Sequence, residues 1–192
     1  MTDQKPLPEK LAFSRDLFVL LFLLRGMPFV DLAFLRRCDL QGNVITYHRR
    51  KTSRKLTVVV GKEAMEIIRR YMYAIPDSPY LFPIIQNPGE NEYGQYTRML
   101  RLLNHRLTQV ANTLGIRERL STYVARHTWA TTALRQNYNS SLICNAMGHS
   151  SVKVTETYFQ PYRDDEVNRM NSSLITYILS KKKRGTDKKI RS

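Results

Sequence analysis

Three side chains in the second half of the sequence have the types needed to act on a phosphodiester. Arg126 lies in Ser121-Thr122-Tyr123-Val124-Ala125-Arg126-His127-Thr128, and His149 lies in Ala146-Met147-Gly148-His149-Ser150-Ser151. Tyr158 closes the stretch Val152-Lys153-Val154-Thr155-Glu156-Thr157-Tyr158, nine residues after His149. A guanidinium stays charged and donates two parallel hydrogen bonds to an anionic oxygen. A phenol is a nucleophile able to form a covalent ester, and an imidazole adds a donor beside it. Together these groups can hold, neutralise and attack a phosphate without a metal.

The surrounding residues resemble the tyrosine recombinases. Gly148 to Tyr158 is similar to that family's L-G-H-S-S…T-x-x-Y pattern, and Tyr123 to Thr131 to its H-x-x-R-H-T-x-A-T box. Arg50-Lys51-Thr52-Ser53-Arg54-Lys55 is similar to the family's G-K-T-x-K turn. The resemblance runs from about Leu11 to Tyr177. It implies that Tyr158 is the nucleophile, that Arg126 forks onto the scissile phosphate, and that His149 donates to a nonbridging oxygen. Lys51 would protonate the leaving 5′ oxygen. In a chain with eleven tyrosines a packing role is the default, and the Gly-His-Ser-Ser context sets Tyr158 apart.

Two positions depart from the family pattern. Tyr123 stands where the box usually has histidine, and a phenol with a pKa of about 10 is a poorer base near neutrality than imidazole. Tyr123 is expected in the site, its role open. The family's first catalytic arginine falls in G-[LM]-R-x-x-E-[LI]; the matching stretch here is Gly26-Met27-Pro28-Phe29-Val30-Asp31-Leu32, with proline in the arginine slot. Arg25 precedes it, in an Arg-Gly-Met string similar to integrases of Bacteroides-type mobile elements. Arg25 either supplies the missing guanidinium or neutralises the dipole of the preceding helix. His127 is expected to be a buried, hydrogen-bonded structural histidine.

The mechanism implied by the resemblance leaves a 3′-phosphotyrosyl bond and a free 5′-hydroxyl. Four protomers would exchange strands through a Holliday junction, so the partners are double-stranded DNA and other protomers in a synaptic tetramer. The fold implied is mainly α with a small antiparallel β-hairpin, the DNA breaking-rejoining fold. Residues 1–180 form the expected catalytic domain including its C-terminal helix. Residues 181–192 are a basic tail too charged to fold alone. The sequence shows no match to the family's usual N-terminal core-binding domain, so the chain is read as a catalytic-domain fragment, with a naturally short recombinase as the alternative. Two rivals remain open: a type IB topoisomerase, with the same tyrosine chemistry, and a noncatalytic helical DNA-binding protein with a decayed site.

Bulk composition agrees with a polyanionic partner. The 192 residues hold 31 Lys and Arg against 16 Asp and Glu, a net charge of +15. Each cation that neutralises a phosphate releases a counterion, which gives tight but salt-sensitive binding. No GxGxxG or GKS/T loop supports a nucleotide, and no HExxH or carboxylate cluster has metal spacing, so no cofactor or metal is expected. Cys38 and Cys144 lack CxxC spacing and read as reduced packing residues. The longest apolar run, Leu17–Leu24, is far below the roughly 18 to 20 residues of a membrane span. With the resemblance to the recombinases, the expectation is a cytoplasmic, nucleoid-associated prokaryotic protein.

The elements that must position these groups can be traced by periodicity. A helix from about Pro8 to Leu24 is capped by Gly26, and Pro28 opens a second that buries Phe29, Leu32, Ala33 and Leu35 and ends near Cys38-Asp39. Strands at 44–48 and 56–60 flank the polar connection Arg49 to Lys55. Helices follow at 62–73 and 96–114, and a short one capped by Asn139-Ser140-Ser141 ends at Gly148. Leu174, Ile175, Ile178 and Leu179 form a late apolar stripe.

Overall fold

The computed structural model describes residues 7–157, 165 and 168–176. The chain divides into two compact units, Met1–Tyr158 and Phe159–Ser192.

In the first unit the core is built on α1 (Glu9–Leu23), whose Leu17, Leu20 and Leu21, with Leu24 just past its end, are buried at helical spacing. The helix carries apolar residues nearly all round because it is covered by α3, α4 and α5. Its buried Asp16 accepts from Tyr71 Oη at 2.8 Å and from Arg70, which pins α3 (Lys62–Tyr71) across it. Gly26 ends the helix in the left-handed region (φ 65°), and Met27 N returns to Leu21 O at 3.0 Å.

Pro28 then caps α2 (Phe29–Ala33). Phe29, Leu32, Ala33 and Leu35 are buried as their spacing predicts, yet the helix stops at Ala33, short of Cys38-Asp39. The chain turns out of helix because Leu35 and Arg37 exchange backbone hydrogen bonds with Leu81 and Pro79. A single 3-10 turn covers Arg37–Asp39, and Cys38 on it is exposed, a correction to its expected packing role; Cys144 is buried.

Three strands form an antiparallel sheet: β1 (Leu40–Gln41), β2 (Val44–His48) and β3 (Lys55–Val59), in that order. The Gln41-Gly42-Asn43 turn links β1 to β2, adding a short strand to the expected hairpin. Register pairs Ile45 with Val58 and Tyr47 with Leu56, so alternate residues face the core.

After α3 a long connection leads to α4 (Glu92–Thr113), which starts four residues before the expected Tyr96. Asn91 caps it with its side chain, and the buried Gln95 accepts from Gln86 N and Asn87 N, stitching the connection to the first turn. The remaining elements are α5 (Thr122–Arg135), α6 (Ser140–Met147) and α7 (Val152–Glu156).

In the second unit residues 168–176 are helical, with Met170, Leu174 and Ile175 exposed. Arg169 pairs with Asp165 one turn earlier, at 2.8 Å. Tyr158, Ile178, Leu179 and the basic 181–192 segment lie outside the described residues. Among the described residues no helix is long and apolar enough to cross a membrane.

Candidate active site

Helix α5 delivers Arg126. Ser121 caps the helix through Val124 N, and Thr122 N donates to Asn104 of α4 at 2.9 Å, so its first turn is held from two sides. Ala125 and Ala130 are buried beside Arg126, and these small residues let the helix approach the α1–α2 turn. There a Cβ on Gly26 would come within 3.2 Å of Arg126 Cα. The Arg126 side chain is only 5% exposed. Its Nη1 donates to Gly26 O, and its Nη2 donates to Met147 O at 3.1 Å and to His149 Nε2 at 2.6 Å.

His149 is presented by the turn between α6 and α7. Asn139 caps α6 at its start, and Gly148 ends it with φ at 66°. No side chain fits at Gly148: a Cβ would lie 2.7 Å from Leu56 Cδ1 and 2.9 Å from Arg49 Cδ. The imidazole, 4% exposed, places Nδ1 2.7 Å from Thr155 Oγ1 of α7, a hydroxyl that is itself fully buried.

The β2–β3 connection closes the site from a third direction. Arg49 Nη1 donates to Met147 O at 2.9 Å and Gly148 O at 3.0 Å, and Thr52 Oγ1 to Gly148 O at 3.3 Å. Arg54 donates to His149 O at 3.2 Å and to Asn145 Oδ1 at 2.8 Å. Cations thus gather on the carbonyls at the negative end of α6. Arg49 Nε also faces Asp31 Oδ2 at 3.4 Å, while Asp31 Oδ1 accepts from Arg50 N at 3.0 Å. Asp31, in the acidic slot of the α2 motif, therefore anchors the hairpin.

Of the four cations at positions 49–54, three are engaged: Arg49 and Arg54 as described, and Arg50 stacked over Phe34 at 3.8 Å. Lys51 is exposed and makes no hydrogen bond or ion pair with the described residues. It is close enough to contribute to the field at His149.

That field, after burial, sets the state of the imidazole. Burial first, and then Arg126, Arg49 and Lys51, push the His149 pKa down to about 4, so the ring is neutral near pH 7. Burial also raises the Asp31 carboxyl above its usual range, opposed by the Arg50 amide and by Arg49.

The structure thus brings Arg126, His149 and the Lys51 turn together. Tyr158 lies outside the described residues. Tyr123 is exposed on the first turn of α5, one turn before Arg126, with its ring 6.3 Å from that of His127. Arg25 adopts left-handed backbone (φ 61°) and donates to Thr57 O of β3 at 3.2 Å. It also lines a cavity of about 660 Å³ with Phe22, Trp129, Leu142 and Ile143. His127 is exposed, correcting its expected burial, because it follows Arg126 by a rotation of about 100° around the helix.

Two residues escaped sequence reasoning. Arg49 was hidden among five basic neighbours, yet strand parity marks it: Ile45 and Tyr47 point inward, and Arg49 continues that alternation. Thr155 carried no chemical signal of its own beyond its place in the T-x-x-Y stretch.

The pattern of the phage integrase family matches residues 4–164. Among solved structures the chain is similar to XerA recombinase, with a TM-score of 0.59 and 19% identity over 88% of this chain and 64% of that one. It is also similar to the Tn1549 transposon integrase in complex with transposon right end DNA, with a TM-score of 0.63 and 15% identity over 91% and 67%. XerH site-specific recombinase bound to its difH substrate gives a TM-score of 0.61 and 17% identity over 88% and 49%. At these identities the likeness is one of fold. The chain spans about half to two thirds of the length of these proteins. No curated protein matches it. The match over most of its length makes this chain a member of the phage integrase family, the tyrosine recombinases.

Proposed function

We propose that this chain is the catalytic domain, residues 1–180, of a site-specific DNA recombinase that cleaves and rejoins strands through a 3′-phosphotyrosyl intermediate. The observation that carries the reading is the buried contact between Arg126 Nη2 and His149 Nε2 at 2.6 Å, with the unengaged Lys51 beside it. Arg126 and His149 would serve as phosphate ligands in a buried, cationic pocket, with the exposed Lys51 nearby as proton donor, where fixed donors act most strongly on developing negative charge.

In the proposed reaction the Tyr158 hydroxyl releases its proton to water as its oxygen attacks phosphorus, and the bond to the 5′ oxygen breaks as Lys51 protonates it. Arg126 and His149 stabilise the pentacoordinate phosphorane, aided by Tyr123 and by Arg25 as the displaced first arginine. A 5′-hydroxyl from a second duplex reverses the step. Bond energy is conserved in the tyrosyl ester, so ATP is not required, and the guanidinium, imidazole and ammonium groups stand in for a divalent ion in this reading. Double-stranded DNA is the substrate, by analogy with the DNA held in the Tn1549 integrase and XerH structures. Other protomers complete a synaptic tetramer, to which exposed Met170, Leu174 and Ile175 offer an apolar surface. The Arg-Gly-Met string supports an integrase of a Bacteroides-type mobile element, acting in the cytoplasm on nucleoid DNA.

A pool of nicked suicide duplexes with randomised core sequence tests this reading. The expected result is a covalent protein–DNA adduct in the presence of EDTA that is lost in Tyr158→Phe. No adduct from the wild-type chain would leave only a DNA-binding protein.

A further inference from the structure

The polarity of the hydrogen bonds around His149 is fixed by its neighbours. A guanidinium has no lone pair to offer, so Arg126 Nη2 donates and His149 Nε2 accepts. The neutral ring then carries its hydrogen on Nδ1 and donates it to Thr155 Oγ1 at 2.7 Å. In this state Nε2 has no hydrogen to give a phosphate. The role assigned to His149 above demands the opposite polarity.

Thr155 resolves the conflict by its chemistry. A carboxylate or a backbone carbonyl in its place would accept only, and would lock the hydrogen on Nδ1. A hydroxyl both accepts and donates by rotating one O–H bond. Because Thr155 is fully buried, an Nδ1 left without a partner there would be costly, so the bond must survive any change in the ring.

We infer, resting on the recombinase reading, that Thr155 is a positioning residue that lets His149 exchange tautomers when a DNA phosphate draws the Arg126 guanidinium away. As the guanidinium leaves and opens the ring to solvent, Nε2 takes a proton from water, while Thr155 Oγ1 accepts the Nδ1 proton and releases its own hydroxyl proton to water. The Thr155 hydroxyl turns from acceptor to donor, so Nδ1 keeps a hydrogen bond throughout. The ring stays neutral, and Nε2–H now points at the nonbridging oxygen that Arg126 also engages. Among the described residues, the charges that lower the ring's pKa are those of Arg126 on α5 and of Arg49 and Lys51 on the hairpin, and each opposes an imidazolium in the free protein. From α6, Cys144 Sγ meets the His149 carbonyl at 3.8 Å, which Arg54 also engages, so neither of those contacts addresses the ring. Thr155 stands three residues before Tyr158, so the segment leading to the nucleophile also sets the polarity of the histidine.

The test is nitrogen NMR of 15N-histidine protein, with His149 distinguished from the other three histidines by a His149→Gln variant. The free protein is expected to show a protonated Nδ1 and a bare Nε2, and Tyr158→Phe saturated with a random-sequence duplex is expected to show the reverse. An unchanged pattern, or a ring protonated on both nitrogens, would overturn the proposal. In the nicked-duplex assay Thr155→Val, which keeps the shape and removes the hydroxyl, is expected to slow adduct formation tenfold or more, with Thr155→Ser within about threefold of wild type. A Thr155→Val rate equal to wild type would also overturn it. Loss of the adduct in the wild type would instead sink the recombinase reading, while the duplex-bound spectrum still decides the tautomer.

Discussion

Arg49 and Arg126, 77 positions apart in sequence, donate to one and the same atom, the carbonyl oxygen of Met147, at 2.9 and 3.1 Å. Two guanidinium groups repel each other, and they share this corner because it offers the unpaired carbonyls of a helix end together with the buried carboxylate of Asp31. The arrangement joins the hairpin, the α5 helix and the histidine turn at a single point.

Removing Arg49 should therefore be severe. Arg49→Ala strands the buried Asp31 and is expected to destabilise the fold by about 3–5 kcal/mol in urea denaturation, the usual consequence of breaking a buried pair. The double variant Asp31→Asn with Arg49→Met should recover much of that loss. Additive losses in the double-mutant cycle would show the two residues to be uncoupled.

Gly148→Ala is expected to lower stability by about 1–3 kcal/mol, since it combines left-handed backbone with clashes against Leu56 and Arg49. Gly42→Ala, also at positive φ (60°) but facing open space, should lose only the backbone part. Comparing the two melting curves isolates the contribution of the docked hairpin.

Stability should rise with pH between about 4 and 6.5. His149 has its pKa lowered on folding to about 4, so across this window the unfolded chain binds a proton that the folded one does not. The gain is complete above the unfolded pKa and disappears as pH falls toward 4. It amounts to about 3 kcal/mol. Denaturation of His149→Gln should show a flatter profile over the same range; an identical slope would contradict the assignment.

Lys51→Ala is expected to reduce adduct formation on a normal phosphodiester by about 10²-fold or more, the usual contribution of a positioned acid. A substrate with sulfur in place of the bridging 5′ oxygen should be cleaved by this variant nearly as fast as by the wild-type chain, since a thiolate departs without a proton. Failure of the sulfur substrate to rescue would assign Lys51 to DNA binding instead.

Arg126→Lys keeps the charge but not the fork that reaches Gly26 O, Met147 O and His149 together. Adduct formation is expected to fall by about 10²-fold or more. Affinity for duplex DNA, measured by salt titration, should change far less, because most of the +15 charge lies elsewhere.

Local patterns carried much of this in the sequence. The Leu17–Leu24 spacing, the β-branched runs and the Asn139 and Gly148 caps each specify an element by nearest-neighbour physics, and the helices and strands appear where those signals stand. Boundaries moved where tertiary contacts intervened: α2 stops early because Leu35 and Arg37 bond to the 79–81 segment, and α4 starts early because Gln95 binds its own entry loop. The site was legible as residue types but not as a network. Nothing local to Arg49 announces Asp31, 18 positions away, or the α6 carbonyls almost a hundred positions away. Polarity at His149 depends on which atoms meet in space, and no spacing rule encodes that.

Because the hairpin tip is fastened to the α6 terminus by Arg49, Thr52 and Arg54, the loop that carries Lys51 and the turn that carries His149 form one mechanical body. On the proposed mechanism, a duplex that presses or pulls on that tip as it bends would shift Lys51 and the His149 imidazole in concert, and the shape of the bound DNA would then bear on the timing of strand cleavage.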